Sequence, residues 1–215
     1  MRLTWALAIG LGLSACASAE DLKYGRAHYD REQLQTALAD DEGAFLIGEF
    51  PLAEHAVVDG DTVKVDGLDA SLRLLAIDSE ETFKSEKDLR AYEQGFEAYL
   101  DKKRGTSERP VKCATPLGMD AKAWAQDFFR GVTTVRLERD HPRQIRGAYG
   151  RFLAYVLVDK GGELVNYNVE SVRAGMSPYF TKYGYSHRFH NQLTHAEAEA
   201  RQAKRGASLI VSAGA

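Results

Sequence analysis

Short runs of hydrophobic, β-rich sequence dominate the chain from residue 44 to residue 77. The runs end at glycine and aspartate residues, which tight turns favour. This pattern predicts strands that follow one another as an antiparallel meander. Their predicted ranges are Ala44–Phe50, Glu54–Val58, Thr62–Val65 and Leu72–Ile77.

Helical and strand patterns alternate in the rest of the chain. Apolar residues at helical spacing predict helices, and two runs rich in β-branched residues predict strands. The charged span Asp101–Gly118, which contains two prolines, predicts a surface excursion. The predicted helices are Leu89–Leu100, Asp120–Phe129, about Val165–Ala174 and about His187–Ala203, and the predicted strands are Thr133–Leu137 and Phe152–Val158.

The N-terminus predicts export. Residues 1–15 contain an apolar run, Leu3–Leu13, that follows Arg2 and is too short to span a bilayer, as in a signal peptide. The run Leu13-Ser14-Ala15-Cys16 resembles a bacterial lipobox, which implies acylation of Cys16 and a membrane anchor. The alternative is cleavage after Ala19, which would release a soluble secreted protein. Both interpretations place the protein outside the cytoplasm.

A polar spacer, residues 16–43, is expected between this N-terminus and one domain at residues 44–210. If Cys16 is acylated or removed, Cys113 has no partner in the chain, which excludes an intramolecular disulfide. We therefore expect Cys113 to be structural rather than catalytic.

Composition is that of a globular protein, with 44% hydrophobic and 27% charged residues among 215. The formal charge of -3 argues against a protein that coats nucleic acid, because such proteins carry a large basic excess. The segment Arg130–Arg151 is locally basic, with six arginines against two acids. It could face a polyanion, or it could be a solvated strand and loop.

Two carboxylate clusters and two separated arginines outline a site for metal-assisted phosphodiester hydrolysis. The clusters are Asp59-Gly60-Asp61-Thr62 and Asp78-Ser79-Glu80-Glu81, and the arginines are Arg73 and Arg151. This reaction needs a cation on the phosphate, a base for water and fixed positive charge on the transition state. The chain supplies candidates for each part.

Several motifs, in the same order along the chain, resemble the staphylococcal-nuclease-like (thermonuclease) domain from about His55 to Ile210. The resemblance implies a mainly β, α+β fold: a five-stranded OB-like barrel with about three packed helices. The motifs are Val58-Asp59-Gly60-Asp61-Thr62-Val63, the run from Leu72 to Thr82, Tyr149-Gly150-Arg151-Phe152-Leu153-Ala154-Tyr155, Leu164-Val165-Asn166, Val172-Arg173-Ala174-Gly175-Met176 and Ala196-Glu197-Ala198-Glu199-Ala200-Arg201.

The chain departs from the family pattern in three places. Glu80 stands where the family turn usually has proline, which adds a negative charge beside the expected metal. Gly147 and Ala148 replace residues that are commonly polar or charged. The insertion at about 83–119 is absent from the smallest family members, and it could cover the cleft or decorate the barrel.

Calcium is the expected metal, because Asp61 and Asp78 offer hard carboxylate oxygens at the ends of neighbouring predicted strands. The backbone carbonyl of Ser79 and water would complete its coordination. An isolated Asp-Gly-Asp is more often a hairpin turn, and the spacing after Asp59 does not fit an EF-hand. The second carboxylate cluster and the two arginines favour a metal site over a simple turn.

Glu81 lies close enough to Asp78 to share the site while leaving the metal to others, so it is the candidate base for water, as the family resemblance also implies. Arg73 alternates with two leucines and should project from the opposite face of its strand. Arg73 and Arg151 can each donate two hydrogen bonds to a phosphate. A structural salt bridge is the alternative role for either arginine.

Tyr179, Lys182, Tyr183 and Tyr185 follow the penultimate helix and are candidates for binding nucleotides, with Lys182 on phosphate. Packing is the alternative for these tyrosines. His187, His190 and His195 do not share one helix face, and they are expected to be solvated rather than zinc ligands.

The sequence thus predicts an exported, lipid-anchored, calcium-dependent nuclease that hydrolyses DNA and RNA, as a monomer with single strands preferred. By the resemblance, water attacks phosphorus and the 5′-oxygen leaves, giving 3′-phosphate products. One alternative is a binding module at the cell envelope without catalysis. Another is a structural lipoprotein, which predicts no calcium dependence.

Overall fold

The computed structural model describes residues 45–106, 114–142 and 146–206. The predicted signal peptide, the spacer, Cys16 and Cys113 lie outside these residues. Within the described ranges, none of the helices has the length and apolar character needed to cross a membrane.

The described residues form six strands and five helices. The strands are β1 Leu46–Val57, β2 Thr62–Val65, β3 Leu72–Leu74, β4 Thr134–Glu138, β5 Phe152–Asp159 and β6 Leu164–Asn166. The helices are α1 Glu86–Glu93, α2 Phe96–Arg104, α3 Pro116–Phe128, α4 Tyr167–Arg173 and α5 His190–Gln202.

Five of the strands close into a ring. The order β3-β2-β1-β4-β5 is antiparallel throughout, and a parallel pairing of β3 with β5 completes the ring through Leu72 opposite Phe152 and Leu74 opposite Ala154. The last strand, β6, pairs with the other end of β5. This arrangement confirms the predicted α+β class and the OB-like ring of five strands.

The first strand is longer than predicted. The sequence pattern predicts a break between Phe50 and Glu54, whereas β1 continues from Leu46 to Val57 and pairs with two strands. Residues 46–51 pair with β4, and residues 52–57 pair with β2, with register shifts in both halves. A strand that bends in this way belongs to both walls of the ring. Pro51 stands where the strand changes partners: it is the last residue paired with β4, and its carbonyl accepts from the Asp66 amide at 2.9 Å.

Two helix predictions are wrong in extent because backbone turns and caps override the periodicity. The predicted helix Leu89–Leu100 is two helices, since Gly95 between them has a φ of 144° that a helix cannot accommodate. Helix α3 begins at Pro116 rather than Asp120, because the Thr115 side chain caps it and proline is favoured in the first turn.

Strand β3 ends three residues earlier than predicted, and a buried amide replaces the hydrogen bonds that the sheet loses there. Asn168 is fully buried on α4; its Nδ2 donates to the Leu75 carbonyl at 2.8 Å, and its Oδ1 accepts from the Val156 amide at 3.1 Å. Because Asn168 joins β3 to β5, it holds the ring closed beside the turn that follows β3.

The core fills the ring and the space beneath three helices. Helices α3, α4 and α5 pack together and against the strands, which matches the three helices implied by the resemblance. Tyr167 on α4 is fully buried and stacks on Phe129 with ring centroids 4.8 Å apart. Helices α1 and α2 belong to the insertion and pack on each other through aromatic rings.

Candidate active site

The turn between β1 and β2 presents Asp61 to the interior. Asp59 accepts a hydrogen bond from the Asp61 amide at 3.1 Å, so Asp59 has the turn-building role that its Asp-Gly-Asp context suggested. The hydroxyl of Tyr167 donates to the Gly60 carbonyl at 2.8 Å. A side chain at Gly60 would meet Ser79 and Ala121 at 2.9 Å. A hydrogen bond within the turn, a hydrogen bond from Tyr167 and close packing against Gly60 therefore fix the turn.

Asp61 is a buried carboxylate, 4% exposed, with several donors around it. It accepts from the Thr62 hydroxyl and the Ser79 amide, both at 3.0 Å, and forms an ion pair with Arg73. Burial raises the pKa of Asp61, while the positive charge of Arg73 acts in the opposite direction.

Arg73 joins the two carboxylates of the expected metal site. It lies on β3 between two fully buried leucines and points to the outer face, as its alternation predicts. Its guanidinium pairs with both Asp61 and Asp78. Burial alone lowers the pKa of Arg73, but the charges and hydrogen bonds of both carboxylates outweigh burial and raise it.

The turn after β3 places Asp78 by contacts with a distant segment. Ala76 has a positive φ of 61°, and its carbonyl accepts from the Phe180 amide at 2.9 Å. The Asp78 amide donates to the Ser177 hydroxyl at 2.9 Å. Sequence reasoning missed Ser177, because a single serine next to a proline carries no signal of such a role.

The donor set suits a hydrated calcium ion. Asp61 and Asp78 converge on one guanidinium, so their oxygens lie within reach of a common cation. Both carboxylates are hard oxygen donors. Ser79, which follows Asp78, donates its backbone amide to Asp61. Among the described residues no third carboxylate, histidine or cysteine joins them. The backbone carbonyl of Ser79 and water molecules would therefore have to supply the other calcium ligands.

Glu81 is half-buried three residues after Asp78, on the same turn. Its backbone is paired in parallel with Ala114, and its carbonyl accepts from the Thr115 amide at 3.2 Å. The insertion therefore returns to the barrel directly beside the candidate base.

Arg151 comes to the same sheet face as Arg73. Leu153 lies opposite Arg73 in the parallel pairing of β3 with β5, and alternation puts Arg151, two residues earlier, on the face of Leu153. Arg151 is half-exposed and makes no ion pair with the residues that the structure describes. Its guanidinium is thus not committed to an ion pair within the described residues.

The neighbouring basic residues are mostly engaged. Arg146 lies over the Phe152 ring at 3.8 Å and pairs with Asp69 at 2.6 Å. Arg136 pairs with the buried Glu138, and Arg130 pairs with Asp127. Much of the positive charge seen in the sequence of this segment is consequently neutralised within the fold.

The tyrosine segment divides into a packed residue and exposed ones. The Tyr179 hydroxyl is engaged by the Ser186 amide at 2.9 Å and by His190 Nδ1 at 3.0 Å. Tyr183 and Tyr185 are 86% and 67% exposed, and the Lys182 ammonium lies 5.8 Å from the Tyr183 ring centre. The exposed members can meet a ligand without rearrangement of the fold.

The three C-terminal histidines do not converge. His190 contacts the rings of Tyr179 and Tyr185, and His195 pairs with Glu199 at 2.7 Å. His187 lies near His141, with ring centroids 6.3 Å apart. Among the residues that are described, no set of three histidine, cysteine or acidic side chains forms a metal site.

Known proteins similar to this chain include a nuclease family and an archaeal protein. A family profile described as staphylococcal nuclease homologue matches residues 71–207 of this chain. The uncharacterized protein MJ1439 of Methanocaldococcus jannaschii is 29% identical over 152 residues, which cover 70% of this chain and 67% of that protein. The matched family range contains Arg73, Asp78, Glu81 and Arg151.

Proposed function

This chain belongs to the staphylococcal nuclease family, and from that membership we propose that it is a calcium-dependent, sugar-nonspecific nuclease that acts on DNA and RNA. The family is nuclease-like and in general calcium-dependent. The observation that carries the proposal is the junction at Arg73, where the two carboxylates suited to calcium meet a guanidinium suited to phosphate. Arg151 shares that face.

Glu81 and the two arginines have separate roles in the proposed hydrolysis. Glu81 accepts a proton from the attacking water, whose oxygen then bonds to phosphorus. Arg73 and Arg151 donate hydrogen bonds to the phosphate oxygens, on which negative charge grows in the transition state. The bond from phosphorus to the 5′-oxygen breaks, that oxygen takes up a proton, and the products carry a 3′-phosphate and a 5′-hydroxyl.

Asp61, Asp78 and the Ser79 carbonyl are the groups that would hold calcium. Calcium bound there supplies positive charge to the phosphate and so assists the attack of water. Because the same carboxylates contact Arg73, the guanidinium must share or release them for a cation to bind. Arg73 can then turn its donors to the phosphate.

Weak sequence selectivity follows from these roles, since phosphate contacts position a strand without reading its bases. The exposed rings of Tyr183 and Tyr185 offer stacking surfaces to unpaired bases, with Lys182 beside them. We therefore propose that the enzyme prefers single-stranded substrates. We also propose that it is a monomer. Export, with a lipid anchor at Cys16, is the proposed location and rests on the N-terminal sequence alone.

Digestion of single-stranded DNA by the chain lacking residues 1–19 tests this proposal, with calcium or with chelator. The decisive pair is Glu81→Gln and Glu80→Gln, which make the same change at adjacent half-buried positions. Calcium-dependent digestion that Glu81→Gln slows about 100-fold or more and Glu80→Gln retains supports the nuclease. DNA binding without digestion by the folded, unmutated protein would instead support the binding module.

A further inference from the structure

The insertion between β3 and α3 contacts the backbone of the candidate base. Ala114 pairs in parallel with Glu81, and the Thr115 amide donates to the Glu81 carbonyl at 3.2 Å. The insertion therefore does more than decorate the barrel. Its returning segment, at Ala114 and Thr115, contacts the peptide from which the Glu81 side chain projects.

The start of α3 closes on the same peptide. Gly118 lies in the first turn of α3, and a Cβ at this position would be 2.1 Å from the Glu81 carbonyl oxygen and 2.8 Å from that of Glu80. Only a residue without a side chain allows this approach. Helix α3 thus packs backbone to backbone against the turn that carries Glu81.

Tyr99 on α2 supports this contact from within the insertion. Its side chain is 1% exposed, and its hydroxyl accepts a hydrogen bond from the Ala114 amide at 3.1 Å. Its ring packs against Phe83, two residues after Glu81, with centroids 6.0 Å apart. Two short routes therefore connect Tyr99 to Glu81, one through Ala114 and one through Phe83.

We propose that Tyr99 is a positioning residue for Glu81 and that the insertion serves as a brace for the turn bearing the base. The inference rests on the proposed function, because it assigns Glu81 the role of accepting a proton. A turn that follows a strand is free to shift, and a misplacement of about 1 Å at a reacting group can cost on the order of 100-fold in rate. The hydrogen bond from Ala114 to Tyr99 limits that shift.

The test compares Tyr99→Phe with Tyr92→Phe, in the chain lacking residues 1–19. Both changes remove one hydroxyl from the same ring cluster, but the Tyr92 hydroxyl makes no hydrogen bond to the residues that the structure describes. We expect Tyr99→Phe to lower kcat roughly fivefold to tenfold at nearly constant KM, the scale of one lost hydrogen bond. Tyr92→Phe should leave both constants unchanged.

Two further measurements separate positioning from simple support of the fold. Amide hydrogen exchange at Ala114 and Thr115 should accelerate in Tyr99→Phe and not in Tyr92→Phe. In a Glu81→Gln background, Tyr99→Phe should have almost no additional effect on the residual rate, because its effect passes through Glu81. A purely structural loss would persist in that background.

The outcomes distinguish the two proposals. An unmutated chain that digests no DNA overturns the nuclease and this inference together. An active chain in which Tyr99→Phe matches Tyr92→Phe, or in which exchange at Ala114 is unchanged, overturns the brace and leaves the nuclease standing.

Discussion

The hydroxyl of Ser177 accepts a hydrogen bond of 2.9 Å from the backbone amide of Asp78, across 99 residues of chain. Ser177 is itself 2% exposed and donates to the Pro178 carbonyl at 3.0 Å. One of the two carboxylates proposed for calcium is thus held through its backbone by the segment that leads to the exposed tyrosines. The Ser177 side chain and the backbone bond from the Phe180 amide to the Ala76 carbonyl thus connect the proposed metal site to the tyrosine segment.

Replacement of Ser177 by alanine should destabilise the fold and weaken calcium binding. The Asp78 amide would lose its partner in a partly buried setting, which costs about 1–3 kcal/mol. Urea unfolding and calorimetric calcium titration measure the two effects. Ser177→Thr keeps the hydroxyl and should retain calcium affinity, whereas equal losses in both variants would count against a role for the hydrogen bond.

Replacement by lysine should lower activity at Arg151 but lower stability at Arg146. Arg151 makes no ion pair within the described residues, so Arg151→Lys should leave stability unchanged but lower kcat about 100-fold through a lost donor to the transition state. Arg146 bonds Asp69 and covers Phe152, so Arg146→Lys should lower stability by about 1 kcal/mol. Thermal unfolding and steady-state kinetics of both variants test this, and an equal loss of kcat in the two would argue against a selective role for Arg151.

Arg73→Gln should move calcium affinity and activity in opposite directions. The substitution removes the guanidinium charge that contacts both Asp61 and Asp78, so it should tighten calcium binding roughly tenfold or more. DNA digestion should fall because the substitution also removes a hydrogen-bond donor to the phosphate. Isothermal titration without nucleic acid measures the affinity. Arg151→Gln, which removes the same charge from a residue with no contact to either carboxylate, is the matched control. Weaker binding in Arg73→Gln would mean that the guanidinium instead holds the carboxylates in place for the metal.

The buried hydroxyl of Tyr155 should make the fold less stable at alkaline pH. Burial, and next the negative charge of Asp140, raise the pKa of Tyr155 above its ordinary value of 10.0. Its stabilising contribution is therefore complete below pH 10, and it is lost as the pH rises, because the unfolded chain releases this proton first. The slope for one such group is about 1.4 kcal/mol per pH unit.

The comparison of the unmutated chain with Tyr155→Phe isolates this effect. The variant loses hydrogen bonds to Asp140 and Ser186 and should be about 1.5–3 kcal/mol less stable near neutral pH. That deficit should shrink as the pH rises above 10.0. Denaturant unfolding across the alkaline range measures it, and a deficit that stays constant with pH would contradict the shifted pKa.

Much of the fold and the candidate site could be predicted from local sequence. The alternation of Arg73 with two leucines is a property of consecutive residues, and it correctly placed the guanidinium on the outer face of β3. The short β-rich runs likewise indicated the strands of the ring, although they predicted two strands where β1 is continuous. These features depend on neighbours in the chain, so the sequence alone contains them.

Tertiary structure alone decided how these pieces meet. That Arg73 binds both Asp61 and Asp78, that Ser177 supports Asp78 and that Tyr99 reaches Glu81 through Ala114 all depend on closure of the ring and return of the insertion. A hydrogen bond between residues far apart in sequence leaves no periodic trace in either segment. The chain's own pattern therefore determined which chemical groups are present and on which elements they lie, while packing determined which of them are in contact.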